Sequence, residues 1–369
     1  MLLGATPRAA ESSRRKSLIR WVLDYQVAPS GLCRYYRFGP YGDQESPLAT
    51  AYAILLLREA YPDTALSLAR GLARLQAAFA ENRHVGGGVP SVANDDSRLF
   101  YSSDALVCLH AVLSLHESTG ASDLLESADG FVRFVTRMTQ GRHAGLLADD
   151  VGFPMQYATP DGVYQNWLVP NISMLFWDTL RQYAAKRDHE AAATLFGRGA
   201  NLLRDCQSPD GCFYDHYDPG YPPVDYNRSR WRWKYVRPDG TPIAIGDNSL
   251  MSALGARRIG LQEMSERYLQ WVRPVDGAAF YAYLDARTAG SGFAIGANTY
   301  YDVVCSGMYG QLLANLGRLD TAVRRGIERV AAAAQAPDGG YRWGLRPNGE
   351  FVQDNAEALV TGYWLVEAL

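Results

Sequence analysis

The chain is 369 residues long, with 47% hydrophobic residues, 20% charged residues and a formal net charge of −3. Lys and Arg number 36 against 39 Asp and Glu, so no basic excess favours nucleic acid as a partner. No apolar run reaches the roughly 18 residues of a membrane span, and residues 1–13 lack the apolar stretch of a secretory signal, so we expect a cytoplasmic protein.

The residues that usually hold metals or cofactors are sparse and scattered. Five cysteines form no CxxC pair, so neither a disulfide framework nor a thiolate zinc site is indicated, and we expect reduced, mostly buried thiols. Six histidines form no HxxxH or HxH pair, and there is no GxSxG elbow or glycine-rich phosphate loop. We therefore expect neither a metal nor a cofactor.

One segment type occurs six times along the chain. Each copy is an amphipathic, charged helix that ends in a glycine, and these closing glycines are 55 to 66 residues apart. The single apolar stripe of each copy is typical of a surface helix. The six outer segments are Lys16 to Gly31, Arg70 to Gly86, Gly130 to Gly145, Arg198 to Gly211, Ser265 to Gly277 and Arg325 to Gly339.

Six predicted helices of a second type alternate with these segments. They have fewer charges and are apolar on more than one face, which indicates burial. We therefore place them inside the outer set. The predicted inner helices are Pro47 to Ala60, Ser103 to Gly120, Asn171 to Arg187, Asp247 to Ile259, Thr299 to Leu316 and Asp354 to Leu369.

The connections between the two sets are unequal in length. Inner helices lead to outer ones through very short turns, whereas outer helices lead to inner ones through long loops of the kind that usually has a function. The long loops must meet on one rim, where the inner helices begin. The pattern predicts an all-α (α/α)6 toroid over residues 14–369, preceded by a flexible terminus at residues 1–13.

This alternation resembles the superfamily of six-hairpin glycosidases, polysaccharide lyases and sugar epimerases, which also includes terpenoid cyclases and prenyltransferases. A pattern of Arg-Gly, then Gln, then Gly at Arg198 to Gly211 and Arg325 to Gly339 is similar to the QW repeat of triterpene cyclases. The resemblance covers essentially the whole length and implies a substrate funnel at the starts of the inner helices. It does not specify the reaction.

The longest loop, residues 207–246, is the richest in aromatic residues. Among them, Trp231 and Trp233 stand beside His216 and Arg230, an arrangement suited to stacking on sugar rings or to shielding a carbocation. The alternative is that so long a loop needs these residues for a small core of its own.

Short polar side chains recur where the inner helices begin: Asp104, Asn171, Asp247, Asp302 and Asp354. Each is first of all a candidate N-cap, worth about 1 kcal/mol to its helix. The functional alternative is that several converge on the funnel floor, where helix dipoles help to keep carboxylates ionised.

The choice of reaction depends on which motifs are present. The chain has no DxDD acid and no DDxxD diphosphate site, because Asn94 precedes Asp95 and Asp96, and Ser97 follows them. A glycosidase needs only a pair of carboxylates. We therefore expect a glycoside hydrolase or a polysaccharide or uronate lyase that binds an oligosaccharide or another small-molecule substrate. Alternatives are a noncanonical terpenoid-type cyclase, with Asp96 or Asp247 as proton donor, and a non-catalytic binding toroid.

The sequence also yields specific candidate residues. The expected catalytic residues are Asp104, Asp247 and Asp302. The expected substrate-binding residues are Asp96, Trp167, Asn171, His216, Arg230, Trp231, Trp233, Tyr301, Trp343 and Asp354.

Overall fold

A computed structural model describes residues 13–37, 42–95, 98–139, 153–165, 167–218, 226–289, 299–348, 350, 352 and 358–369. Outer and inner helices alternate along these residues, as the sequence predicts. The outer helices are α1 (Ser13–Trp21), α3 (Pro62–Ala77), α5 (Asp123–Met138), α8 (Glu190–Leu203), α10 (Gln262–Trp271) and α12 (Thr321–Ala334). The inner helices are α2 (Pro47–Leu57), α4 (Ser102–Thr119), α6 (Asn171–Phe176) with α7 (Asp178–Arg187), α9 (Gly246–Arg258), α11 (Val303–Asn315) and α13 (Leu359–Ala368).

The inner helices form a closed ring. Going round it, α2 contacts α4, α4 contacts α6, α6 contacts α9, α9 contacts α11, α11 contacts α13, and α13 contacts α2. Burial follows this order, since ten of the eleven residues of α2 are buried whereas α12 buries four of its fourteen. The predicted (α/α)6 toroid is confirmed, and the apolar character of the inner segments is the physical reason for it.

Short antiparallel strands join the loops on the rim where the inner helices begin. Of the five small sheets that the described residues form, three join strands on either side of a helix of the ring, as when β9 pairs with β10 across α9 and α10. The strands are β1 (Cys33–Arg34), β2 (Glu45–Ser46), β3 (Phe100–Tyr101), β4 (Tyr157–Ala158), β5 (Tyr164–Gln165), β6 (His216–Tyr217), β7 (Trp231–Arg232), β8 (Tyr235–Val236), β9 (Pro242–Ile245), β10 (Tyr283–Asp285), β11 (Tyr301–Asp302) and β12 (Gly344–Leu345).

Some helix boundaries differ from the sequence prediction. The third inner helix, expected to be continuous, is interrupted at Trp177, where Trp177 N bonds to Met174 O and Leu180 N to Trp177 O in the tighter three-residue pattern. The fifth begins at Val303 rather than Thr299, because residues 301–302 pair with β12. The described part of the sixth begins at Leu359, and residues 353–357 lie outside the described part of the chain.

The closing glycines and the QW-like pattern have a local structural cause. Gly211 has a φ of 105°, and a Cβ there would come within 2.7 Å of Arg267 O on the next outer helix. The Gln207 side chain donates to Gly211 O and to Met264 O, both at 2.8 Å. The pattern therefore joins one outer helix and its loop to the next outer helix, which is a requirement of the fold rather than of a reaction.

Two other sequence expectations concern the chain as a whole. All five cysteines are free and buried, as expected. Within the described ranges, no helix is both long enough and apolar enough to span a membrane.

Candidate functional site

The three carboxylates expected to be catalytic stand at the starts of inner helices. Asp104 and Asp247 lie in the first turns of α4 and α9, and Asp302 is the N-cap of α11. Asp302 Oδ1 accepts a hydrogen bond from Val304 N at 3.3 Å. Asp302 thus caps its helix, as one of the two sequence-based alternatives predicted. It also stands where an inner helix begins, on the rim of the ring.

Asp247 and Asp302 share a cavity of about 240 Å³. The other lining residues come from the rim loops and from the first turns of inner helices. They are Tyr35, Tyr36, Ile245, Met251, Ala282, Tyr283, Tyr300, Val304, Trp343, Ala358, Val360 and Thr361. Two carboxylates and several aromatic rings thus face one space.

Backbone pairing in the rim explains why these residues meet. Gly246 N bonds to Ala282 O at 2.8 Å, which positions Asp247 directly beyond the β9–β10 pair. A Cβ at Gly246 would come within 2.7 Å of Tyr281 O, so only glycine permits this approach. Val303 N bonds to Trp343 O at 3.0 Å, which brings Trp343 beside Asp302.

The two carboxyl groups have different electrostatic environments. Burial, and then the charge of Asp247, raise the pKa of Asp302 well above its usual range. Burial also raises the pKa of Asp247, but hydrogen bonds from backbone N–H groups oppose that rise, including the bond from Asn248 N to Asp247 Oδ1 at 2.7 Å. Val304 N opposes the rise at Asp302 in the same way, with one backbone hydrogen bond against two at Asp247. Burial and mutual repulsion therefore disfavour a negative charge on both groups at once.

Asp104 lies near this pair without lining the cavity. Its side chain is 5% exposed, and burial raises its pKa to about 6 despite hydrogen bonds from Ser91 and Ser103. The link between Asp104 and the cavity is Tyr35, whose pKa is raised by burial and then by charges that include Asp104 and Asp247. Asp104 is therefore a neighbour of the cavity rather than part of its surface.

A fourth carboxyl group, not among the expected site residues, lies beside Asp247. Asp215 is 4% exposed, and its Oδ2 accepts a hydrogen bond from Lys234 N at 2.8 Å. Burial is the largest cause that raises its pKa, to about 7, and the charge of Asp247 adds to it. Asn248 adjoins Asp215 and accepts a bond from Asn171 Nδ2 at 3.2 Å, which places Asn171 at the edge of this group.

The aromatic residues expected from the longest loop pack mainly against one another. Trp231 is 3% exposed, lies 5.5 Å from the Tyr217 ring, and donates from Nε1 to Tyr226 Oη at 3.3 Å. Trp233 packs on Tyr214 with ring centroids 4.4 Å apart. This arrangement matches the alternative that the loop builds a small core of its own.

The remaining expected residues divide between the rim and the cavity. Trp167 stacks on His216 at 4.3 Å, and Arg230 donates to the Asp218 carbonyl at 3.3 Å. Trp343 lines the cavity, whereas Tyr301 pairs with Leu345 and packs on Tyr281. Asp96 and Asp354 lie outside the described residues.

Sequence reasoning missed the tyrosines that line the cavity. Successive residues of an extended segment point to opposite faces, so Tyr300, just before β11, and Asp302 line the cavity while Tyr301 between them does not. Tyr35 and Tyr36 follow the first closing glycine and precede the first inner helix, a position equivalent to that of other rim loops. Their place in a loop that joins an outer helix to an inner one was the sequence feature that could have identified them.

No metal centre is evident in the part of the chain that the structure describes. There, no group of three or more His, Cys, Asp and Glu residues is arranged to hold an ion. The site within those residues is thus composed of carboxyl groups, amides and aromatic rings.

Comparisons with known proteins identify the fold but no family. No protein-family model matches the sequence, and a search of curated proteins finds no match. Among solved structures, an alpha-amylase from Clostridium perfringens aligns with 98% of both chains at a TM-score of 0.68 and 11% identity. A cellobiose 2-epimerase from Bacillus thermoamylovorans aligns with 96% of this chain and 97% of its own, at a TM-score of 0.67 and 9% identity.

A third similar structure is an unsaturated glucuronyl hydrolase from a Bacillus species, with a TM-score of 0.64 and 12% identity over 96% of this chain and 93% of that one. At such low identity, the likeness shows the fold. The chain therefore shares the (α/α)6 toroid fold of these three structures, as the sequence resemblance indicated.

Proposed function

We propose that this protein is a glycoside hydrolase that acts on a neutral saccharide, with Asp302 as general acid and Asp247 as its partner carboxylate. The observation that supports this most strongly is the pair itself: two carboxyl groups in one aromatic cavity, in environments that separate their proton affinities. Such separation is the usual basis of acid and base roles in glycosidases.

The reaction assigns one step to each carboxyl group. Protonated Asp302 donates its proton to the glycosidic oxygen as the bond to the anomeric carbon breaks. Ionised Asp247 either attacks that carbon directly or removes a proton from the attacking water. In the first case, ionised Asp302 then removes a proton from the water that cleaves the ester to Asp247, which restores both groups. In the second case, the water proton goes to Asp247, and proton exchange through solvent returns it to Asp302.

The aromatic lining supports a saccharide as the substrate. Tyr300 and Trp343 lie 5.0 Å apart at near-perpendicular angles, which leaves flat apolar surface beside groups that can form hydrogen bonds. The volume is below the roughly 300–1,000 Å³ of most small-molecule sites, which favours a short part of a saccharide over a large substrate.

The charge of the lining favours a neutral sugar over a uronate. Among the described lining residues, Asp247 and Asp302 are the only charged side chains, and neither lysine nor arginine is present. A uronate substrate would bring a third carboxylate with no cation opposite, and elimination would also require its charge to be neutralised. These features favour hydrolysis of neutral glycosides over a lyase reaction.

The proposal is tested with neutral oligosaccharides, neutral aryl glycosides and unsaturated uronides, by measuring the release of reducing sugar or aglycone. We expect turnover of at least one neutral substrate, and its loss in the Asp302→Asn variant wherever the leaving group needs a proton, as in an oligosaccharide. Turnover of uronides alone would contradict the neutral specificity. The absence of both turnover and binding across the panel would contradict the hydrolase assignment.

A further inference from the structure

A second cavity lies at the opposite end of the ring, where the inner helices end. It has a volume of about 550 Å³ and is lined from α4, α6, α7, α9 and α11. Most of its lining is polar. The residues are His110, Leu175, Asp178, Thr179, Gln182, Arg257, Arg258, Gln311, Ala314 and Asn315.

The charges in this cavity do not cancel. Asp178, the only carboxylate in the described lining, bonds to Arg181 at 2.6 Å and accepts from Gln182 Nε2 at 3.0 Å. Arg257 and Arg258 form no ion pair with any described carboxylate. Asp178 acts on Arg258 only through its charge at longer range, so neither guanidinium group is in direct contact with a described carboxylate.

The surroundings of the two arginines balance their charge only in part. Arg258 Nη1 donates to Leu175 O at 3.2 Å, a contact that suits a cation near the end of a helix. Arg257 Nε is buried and has no hydrogen-bond partner in the described structure. Because arginine keeps its proton in a protein, these two half-buried side chains present positive charge to the cavity, which favours an anion there.

Arg258 is also held in place by aromatic rings. The Arg258 guanidinium lies over the rings of Phe176 and Trp364, with its carbon 5.5 and 5.9 Å from their centroids. The Asn315 amide adds a neutral donor to the same cavity. A planar guanidinium beside neutral donors is the arrangement that recognises carboxylate and phosphate oxygens.

We propose that this cavity is a binding site for a small molecule that carries a phosphate or carboxylate group, with Arg257 and Arg258 as its principal ligands. The site is separate from the Asp247–Asp302 cavity, since the two cavities share no lining residue and this one takes the last turns of α9 and α11 rather than their first. The proposal does not depend on the glycosidase assignment.

The test is calorimetric titration of the full chain with inorganic phosphate and, separately, with glucuronate, against sodium chloride at equal ionic strength. We expect saturable binding of one probe, and the tighter probe identifies the group that the site accepts. Arg257→Gln should weaken that binding at least about tenfold, since it removes a charge-assisted hydrogen bond.

Matched variants make the outcome specific. Arg198→Gln, at an exposed arginine on α8, should bind as the wild type does. Asn315→Ala keeps both charges and provides a second lining variant, which should bind less tightly. Circular dichroism establishes that each variant is folded. The absence of saturable binding by the wild type, equal binding by Arg257→Gln, or equal losses in Arg257→Gln and Arg198→Gln would overturn the proposal.

Discussion

The aromatic loop at residues 207–246 and the cavity around Asp247 and Asp302 lie on the same rim but have different roles. The loop has the greater concentration of aromatic residues, and rings such as Trp231 and Tyr217 bury themselves against one another. The cavity takes single aromatic residues from several sparser loops and places them beside two carboxyl groups. The concentrated aromatic residues of the loop thus form a packed core, whereas the buried carboxyl groups mark the cavity that we propose as the active site.

The largest expected effect is on activity, which should depend on the cavity and not on the aromatic loop. Asp302→Asn and Asp247→Asn should each lower kcat about 100- to 10,000-fold, because each removes a group that acts on the reacting bond. Asp210→Asn is the matched control, since Asp210 is an exposed carboxylate of the aromatic loop. Steady-state kinetics on the best neutral glycoside measures the effect. Full activity in Asp247→Asn would remove Asp247 from the mechanism.

The next effect is on stability, which should depend on the packed aromatic residues of the loop. Trp231→Ala should lower the free energy of unfolding by about 3–5 kcal/mol, because it leaves a cavity in a packed cluster. Its kcat and KM should stay near the wild-type values at temperatures where it remains folded. Urea unfolding and kinetics provide the two measurements. A large rise in KM without a loss of stability would show that the loop contacts substrate directly.

The third prediction concerns Asp215, which joins the two regions. Its pKa of about 7 in the folded chain is above the ordinary 3.8, so the folded state binds its proton more tightly than the unfolded state does. Stability from this group is therefore fully present below about pH 4 and is lost as the pH rises through about 7. Urea unfolding curves across that range should show that the free energy of unfolding declines with rising pH. In Asp215→Asn that decline should be smaller by about 2–4 kcal/mol. If the free energy of unfolding depended on pH in the same way in Asp215→Asn as in the wild type, the conclusion that buried Asp215 binds a proton in the folded state would be contradicted.

The smallest expected effect concerns substrate contact in the cavity. Trp343→Ala should raise KM about tenfold with little change in kcat, because a stacking surface supports binding of substrate and transition state alike. Tyr300→Phe should raise KM less, and Tyr301→Phe should leave it unchanged, because Tyr301 faces Tyr281 rather than the cavity. Equal effects at Tyr300 and Tyr301 would contradict the assigned cavity lining.

The sequence predicted the fold well because the signals of the toroid are local and repeated. Glycines such as Gly211 mark the ends of outer helices, and nearly uniform apolar character marks inner ones such as α2. The starts of inner helices also pointed to Asp247 and Asp302, which the structure brings to one cavity, while their catalytic role remains a prediction. The division at residue 13 and the cytoplasmic location remain predictions.

The details of the site were harder to predict because they depend on contacts between distant segments. Tyr300 rather than Tyr301 lines the cavity because of strand pairing with β12, which begins more than forty residues further along the chain. Asp215 adjoins Asp247 only because the long loop folds back on α9, and its own sequence resembles that of a solvated loop. Neither fact has a local sequence signal.

The most direct test of the central claim compares leaving groups in the two carboxylate variants. A dinitrophenyl glycoside needs no protonation of its leaving group, whereas an alkyl glycoside does. Asp302→Asn should retain much of its hydrolysis of the dinitrophenyl glycoside and lose that of the alkyl glycoside, while Asp247→Asn should lose both. Equal losses on both substrates in Asp302→Asn would contradict its assignment as the general acid.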